Sequence, residues 1–71
     1  MMRQLPVLQQ GASGGDVRTC QALCGARGHS TSVDGAFGPN TTAAVKAVQA
    51  AAHLVVDGVV GPATWPALMA V

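Results

Sequence analysis

The chain has 71 residues, which is one domain with a thin stability margin. Charge is sparse and balanced, with four basic residues against three aspartates. Arg3, Arg18, Arg27 and Lys46 are scattered rather than striped, which argues against nucleic-acid binding and against a polybasic membrane anchor. No apolar run is long enough to span a membrane, and the patch from Leu5 to Leu8 is too short, and too broken by Pro6, for a secretory leader.

Residues 1–7 read as an N-terminal tail and residues 8–71 as the domain. Gln9 to Gly15 is rich in glycine and serine and predicts a loop. Ser13, three residues before Asp16, looks like a capping box that starts a first helix over about Gly14 to Arg27. Val17, Cys20, Leu23 and Cys24 follow at three- and four-residue spacing and give that helix its apolar face. Gly28 suits a left-handed helix end. Cys20 and Cys24 fall on one face, a turn apart. They read as small buried hydrophobes, with a disulfide as the alternative. A zinc site would need two further ligands, and the spacing of His29 and His53 matches no zinc pattern.

His29 to Gly38 predicts a loop with a turn at Asp34-Gly35. Pro39 then opens a second helix at the position where its missing N–H costs nothing. Lys46, Gln49 and His53 form a polar stripe on it and are expected to face solvent. Asp57-Gly58 is a second turn, and Gly61-Pro62 opens a short third helix that directs Trp65 and Leu68 inward. Pro66 sits deep enough to remove a hydrogen bond there, so this helix is expected to be bent or partly 3₁₀. The fold class is all-α, a compact three-helix bundle with two D-G-x-x-G loops.

The most specific feature is a duplicated octet. Asp34-Gly35-Ala36-Phe37-Gly38-Pro39-Asn40-Thr41 matches Asp57-Gly58-Val59-Val60-Gly61-Pro62-Ala63-Thr64. A second echo is Val17-x-x-Cys20-Gln21 against Val45-x-x-Val48-Gln49. Each octet builds a turn into a helix start. One reading is that the octets are only well-made helix starts. The other is that the two loops flank a groove whose amide N–H groups receive a carboxylate or peptide carbonyls.

The ordered set Gly11-x-x-Gly14-x-x-Val17-x-x-Cys20-Gln21, Asp34-Gly35-x-Phe37-Gly38-x-x-Thr41, Ala44-Val45-x-x-Val48-Gln49 and Leu54-x-x-Asp57-Gly58-x-x-Gly61-x-x-Thr64-Trp65-x-x-Leu68 resembles the peptidoglycan-binding domain family, a small three-helix wall-binding module. The resemblance covers about Leu8 to Leu68. It implies a non-catalytic module of a bacterial or phage wall protein, placed outside the cell beside an amidase, muramidase or carboxypeptidase. An export signal would then lie on a longer parent chain or have been removed. No cofactor is implied, since zinc in such proteins belongs to the catalytic neighbour. The family usually has leucine at the positions of Cys20 and Cys24, phenylalanine at Val48 and glycine at His53. The first three changes shrink the core, and the last alters the second loop.

Nothing supports catalysis. There is no serine–histidine–acid set, the cysteines lie on a core face, and Asp34 and Asp57 are engaged in turns. The candidate ligand-binding residues are Asp34, Gly35, Phe37, Gly38, Asp57, Gly58, Gly61, Thr64 and Trp65. Sugar sites usually stack rings on exposed aromatics, and only Trp65 could serve, so the stem peptide is the expected wall contact. A lone tryptophan in a short terminal helix is more often a core residue. Gln21 and Gln49 are expected to brace the loops, and His29 and His53 to be solvated. The rival reading is a helical pro-domain or protein–protein adaptor without wall affinity.

Overall fold

The computed structural model describes residues 5–69, so Arg3 and most of the expected tail lie outside the described residues. Three helices follow in order, α1 (Gly15–Ala26), α2 (Pro39–Ala51) and α3 (Thr64–Met69), and each packs against the other two. The described residues form no strand beyond two isolated antiparallel bridges, Leu8 with Val60 and Ser13 with Ala36.

The apolar spacing of α1 does what it predicts: Val17, Cys20 and Cys24 are buried, each at 0% exposure. The helix start differs from expectation. The N-cap is Gly14 and no side chain caps it. Ser13 instead bridges to the first octet, with Gly14 N–H donating to the Gly35 carbonyl at 2.9 Å. That pairing draws Ser13 away from the helix end. Asp16 remains in the first turn, where an anion is favoured by the helix dipole.

Both long helices stop in the same way. In α1, His29 N–H bonds the Cys24 carbonyl and Gly28 N–H bonds the Gly25 carbonyl, with Gly28 at φ 88°. In α2, Leu54 N–H bonds the Gln49 carbonyl and His53 N–H bonds the Ala50 carbonyl. These are paired Schellman closures, which need a left-handed residue at the turn. Glycine supplies it after α1, whereas His53 is forced to φ 60° after α2. This explains why glycine is usual at that position.

Regular α3 begins only at Thr64, although Gly61 already accepts from Trp65 N–H at 3.1 Å. Pro66 has no N–H to continue that ladder to Pro62, so the first turn is irregular. The core comprises Leu8, Val17, Cys20, Cys24, Phe37, Ala44, Val45, Val48, Val60, Trp65 and Leu68. Val60 is held by Leu8 through two backbone bonds of 2.8 and 3.0 Å, and Trp65 Nε1–H donates to the Pro6 carbonyl at 2.8 Å. The segment before α1 is therefore tied to the middle of the second octet and to the residue that follows it.

Candidate functional site

Two buried glutamines organise the octets. Gln21 on α1 is 1% exposed, and so is Gln49 on α2. Gln21 Oε1 accepts from the N–H groups of Asp34 and Gly35, both at 3.0 Å. Its Nε2 donates to Asp34 Oδ1, the Ala36 carbonyl and Thr41 Oγ1, all at 3.0 Å. Gln49 repeats the pattern. Its Oε1 accepts from Asp57 and Gly58 N–H at 3.2 and 3.0 Å, and its Nε2 donates to Asp57 Oδ1, the Val59 carbonyl and Thr64 Oγ1 at 2.9–3.1 Å. The octet therefore encodes a socket for a glutamine amide: the turn amides, the aspartate, one carbonyl and the helix threonine are its five contacts. A buried primary amide is stable only when its donors and acceptor are all used.

This arrangement corrects the expected solvent stripe on α2, because Gln49 points inward while Lys46 and His53 are exposed. Helical spacing marks a polar residue as outward-facing unless a loop returns to satisfy it. Here residues 57–64 return.

Each aspartate is shaped by its turn. Asp34 Oδ1 accepts from Ala36 N–H at 2.9 Å, and Asp57 Oδ1 accepts from Val59 N–H at 2.9 Å. Those backbone bonds, and then the glutamine amides, hold both carboxyls below the usual carboxylate range. Arg18 adds a favourable charge at Asp34. The side chain of Arg18 lies over Gly35, at φ 80°, and that of Lys46 lies over Gly58, at φ 73°.

The expected site residues divide into three groups. Phe37 and Trp65 are core residues at 2% and 3% exposure, and Thr64 is buried at 4%. Gly35 and Gly58 are buried, and their N–H groups are taken by the glutamines rather than turned to solvent. Asp34 and Asp57 are exposed, and Gly38 and Gly61 are half-buried.

Two grooves run beside the octets. The first, about 720 Å³, lies between His29–Ser32 and Asn40, Ala43, Ala44 and Ala47 of α2. The second, about 590 Å³, runs between the loop after α2 and the start of α3. Asp57, Gly61 and Thr64 line it together with Val7, His53, Leu54, Val55, Pro62 and Ala63. The structure thus gathers part of the second octet in one groove, and Asp34, Gly35, Phe37 and Gly38 are not in it.

Sequence spacing missed Val7, Leu54, Val55 and Ala63, which come from separate segments. One signal was present: the apolar pair Val55-Val56 stands in a loop, and Val55 is 79% exposed. Among the described residues no cluster of three or more His, Cys, Asp or Glu could hold a metal, and no helix is long and apolar enough to cross a membrane. The Cys20 thiol is pushed far above the ordinary thiol range by its hydrogen bond with Cys24 and by burial, which keeps it protonated.

The family model described as "Putative peptidoglycan binding domain" matches residues 13–68. The chain belongs to this family. Among its relatives is the N-acetylmuramoyl-L-alanine amidase CwlL of Bacillus licheniformis, 43% identical over 68 residues that span 92% of this chain and 19% of the amidase. The Burkholderia AP3 phage endolysin superposes with a TM-score of 0.88 at 40% identity, covering 92% of this chain and 25% of the endolysin chain. The SleB N-terminal domain superposes with a TM-score of 0.85 at 38% identity, covering 90% of this chain and 89% of that domain. The chain therefore corresponds to a small part of the amidase and to nearly the whole of the SleB domain. It shares the fold of the endolysin and SleB chains over that region. The family is a binding domain, and its context is the bacterial cell wall or its exterior.

Proposed function

We propose that this chain is a non-catalytic module that holds peptidoglycan by its stem peptide and thereby places an attached or partnered wall hydrolase on its substrate. The observation that carries the reading is the second groove. It has apolar walls from Val7, Leu54, Val55, Pro62 and Ala63, with an exposed polar point at Asp57. Alternating methyl groups and a few fixed polar contacts suit a short peptide rich in alanine. Both aromatic rings of the chain are buried, which leaves no stacking platform for a sugar.

The site narrows accordingly to Asp57, Gly61 and Thr64 from the expected set, joined by the apolar wall residues. Phe37 and Trp65 support it from the core, and Gly58 supports it through Gln49. Sedimentation with purified sacculi tests the reading. The chain should pellet with intact sacculi, and a soluble stem peptide should displace it while peptide-free glycan should not. A chain that stays in solution is an adaptor instead, and displacement by glycan alone refutes the peptide assignment.

A further inference from the structure

Two structurally equivalent aspartates differ in surroundings, and the difference identifies a ligand chemistry. Asp34 has the Arg18 guanidinium acting on it and lines neither groove. Asp57 lines the second groove and is exposed there. Both of its bonds, from Val59 N–H and Gln49 Nε2, fall on Oδ1, and Oδ2 enters neither. The clamp holds this carboxylate ionised and fixed in orientation. Lys46 lies close by, with its aliphatic stem over Gly58. His53 is the other titratable side chain of the groove. The groove thus presents a preorganised negative point beside apolar walls.

We infer that Asp57 is the receptor for an ammonium group, namely the side-chain amine of the diamino acid in the stem peptide, while Val7, Leu54, Val55 and Ala63 take the neighbouring methyl and methylene groups. This inference rests on the stem-peptide reading above and assigns its specificity. The diamino acid carries the cation of an otherwise neutral or acidic peptide, so charge complementarity selects it. Cross-linking acylates the same amine and removes the charge. The module therefore favours wall strands that are not yet cross-linked, or whose cross-links have been cut.

Two soluble peptides test this, N-acetyl-L-Ala-γ-D-Glu-L-Lys-D-Ala-D-Ala and its twin acetylated also at the lysine Nε. Binding is measured by calorimetry and by amide chemical shifts in the intact chain. The free-amine peptide should shift the amides of Val55, Asp57, Gly61 and Ala63. It should bind roughly three- to fivefold more tightly than the acetylated peptide, the range of a solvent-exposed ion pair, and the gap should close in high salt. Asp57→Asn keeps an Oδ1 acceptor for the clamp and removes only the charge. It should bind the two peptides equally, and Asp34→Asn should retain the difference. Equal binding of the two peptides by the unaltered chain, or an undiminished preference in Asp57→Asn, overturns the assignment. If neither peptide binds but the chain still pellets with sacculi, the groove assignment falls and wall binding stands. If the chain does not pellet either, the functional reading falls with it.

Discussion

Replacing Gln49 with methionine isolates the amide clamp from the volume it fills. Methionine has nearly the same length and flexibility and no amide, so Gln49→Met removes five hydrogen bonds while leaving no large cavity. Two of the partners, Gly58 N–H and Thr64 Oγ1, lose bonds that are buried. Each stranded buried group costs about 1–3 kcal/mol. The partners at Asp57 and Val59 are only part-buried, and water can replace much of what they lose. The expected loss is about 3–5 kcal/mol. A domain of this length holds roughly 4–11 kcal/mol in total, so the variant should be severely weakened. Urea unfolding followed by Trp65 fluorescence measures it, and Gln49→Ala run in parallel adds the cavity cost. Gln21→Met should behave alike, since its amide meets the equivalent five partners. A loss below about 1 kcal/mol in Gln49→Met, with an unchanged denaturant slope, would refute the claim that the clamp holds the second loop.

His53→Gly should stabilise the domain. It relieves a left-handed histidine at φ 60°, worth about 1–2 kcal/mol, against about 0.5–1 kcal/mol of added chain entropy. The melting temperature should rise by roughly 3–6 °C, and an unchanged or lower value would exclude strain at the end of α2. Asp34 and Asp57 have lowered folded-state pKa values, so the stability they add is present above the ordinary carboxylate pKa and lost as pH falls through the depressed values. Melting temperature should hold from neutrality to about pH 5 and drop below about pH 4, and combining Asp34→Asn with Asp57→Asn should flatten that drop. A fall beginning above pH 6 in thermal melts would contradict the assignment. Cys20 and Cys24 are both free and fully buried. An aromatic disulfide reagent should label neither faster than the domain unfolds and should count two thiols in denaturant; rapid labelling of the folded chain would contradict their burial.

The features legible in the sequence are those written locally. The apolar spacing of Val17, Cys20 and Cys24 gave the face of α1, Pro39 marked the start of α2, and Gly28 marked the end of α1, because helix periodicity, proline geometry and left-handed glycine act within a few residues. The duplicated octet was equally plain, and with the glutamines it carried the family. Local spacing also misled. Ser13 read as a helix cap until its pairing with Ala36 claimed it, and Gln49 read as solvent-facing although its partners lie 8–15 residues on.

Tertiary structure alone decided where the octets point. Their amides close on two interior glutamines, and Phe37 and Trp65 complete the core instead of reaching for a sugar. The groove that holds Asp57 takes Val7 from the segment before α1, Val55 from the loop after α2 and Ala63 from the entry to α3. The sequence determined the helices and the turns, since each depends on near neighbours. Which of the two equivalent aspartates opens onto the second groove depended on the segments packed around it, and only the packed chain fixes that.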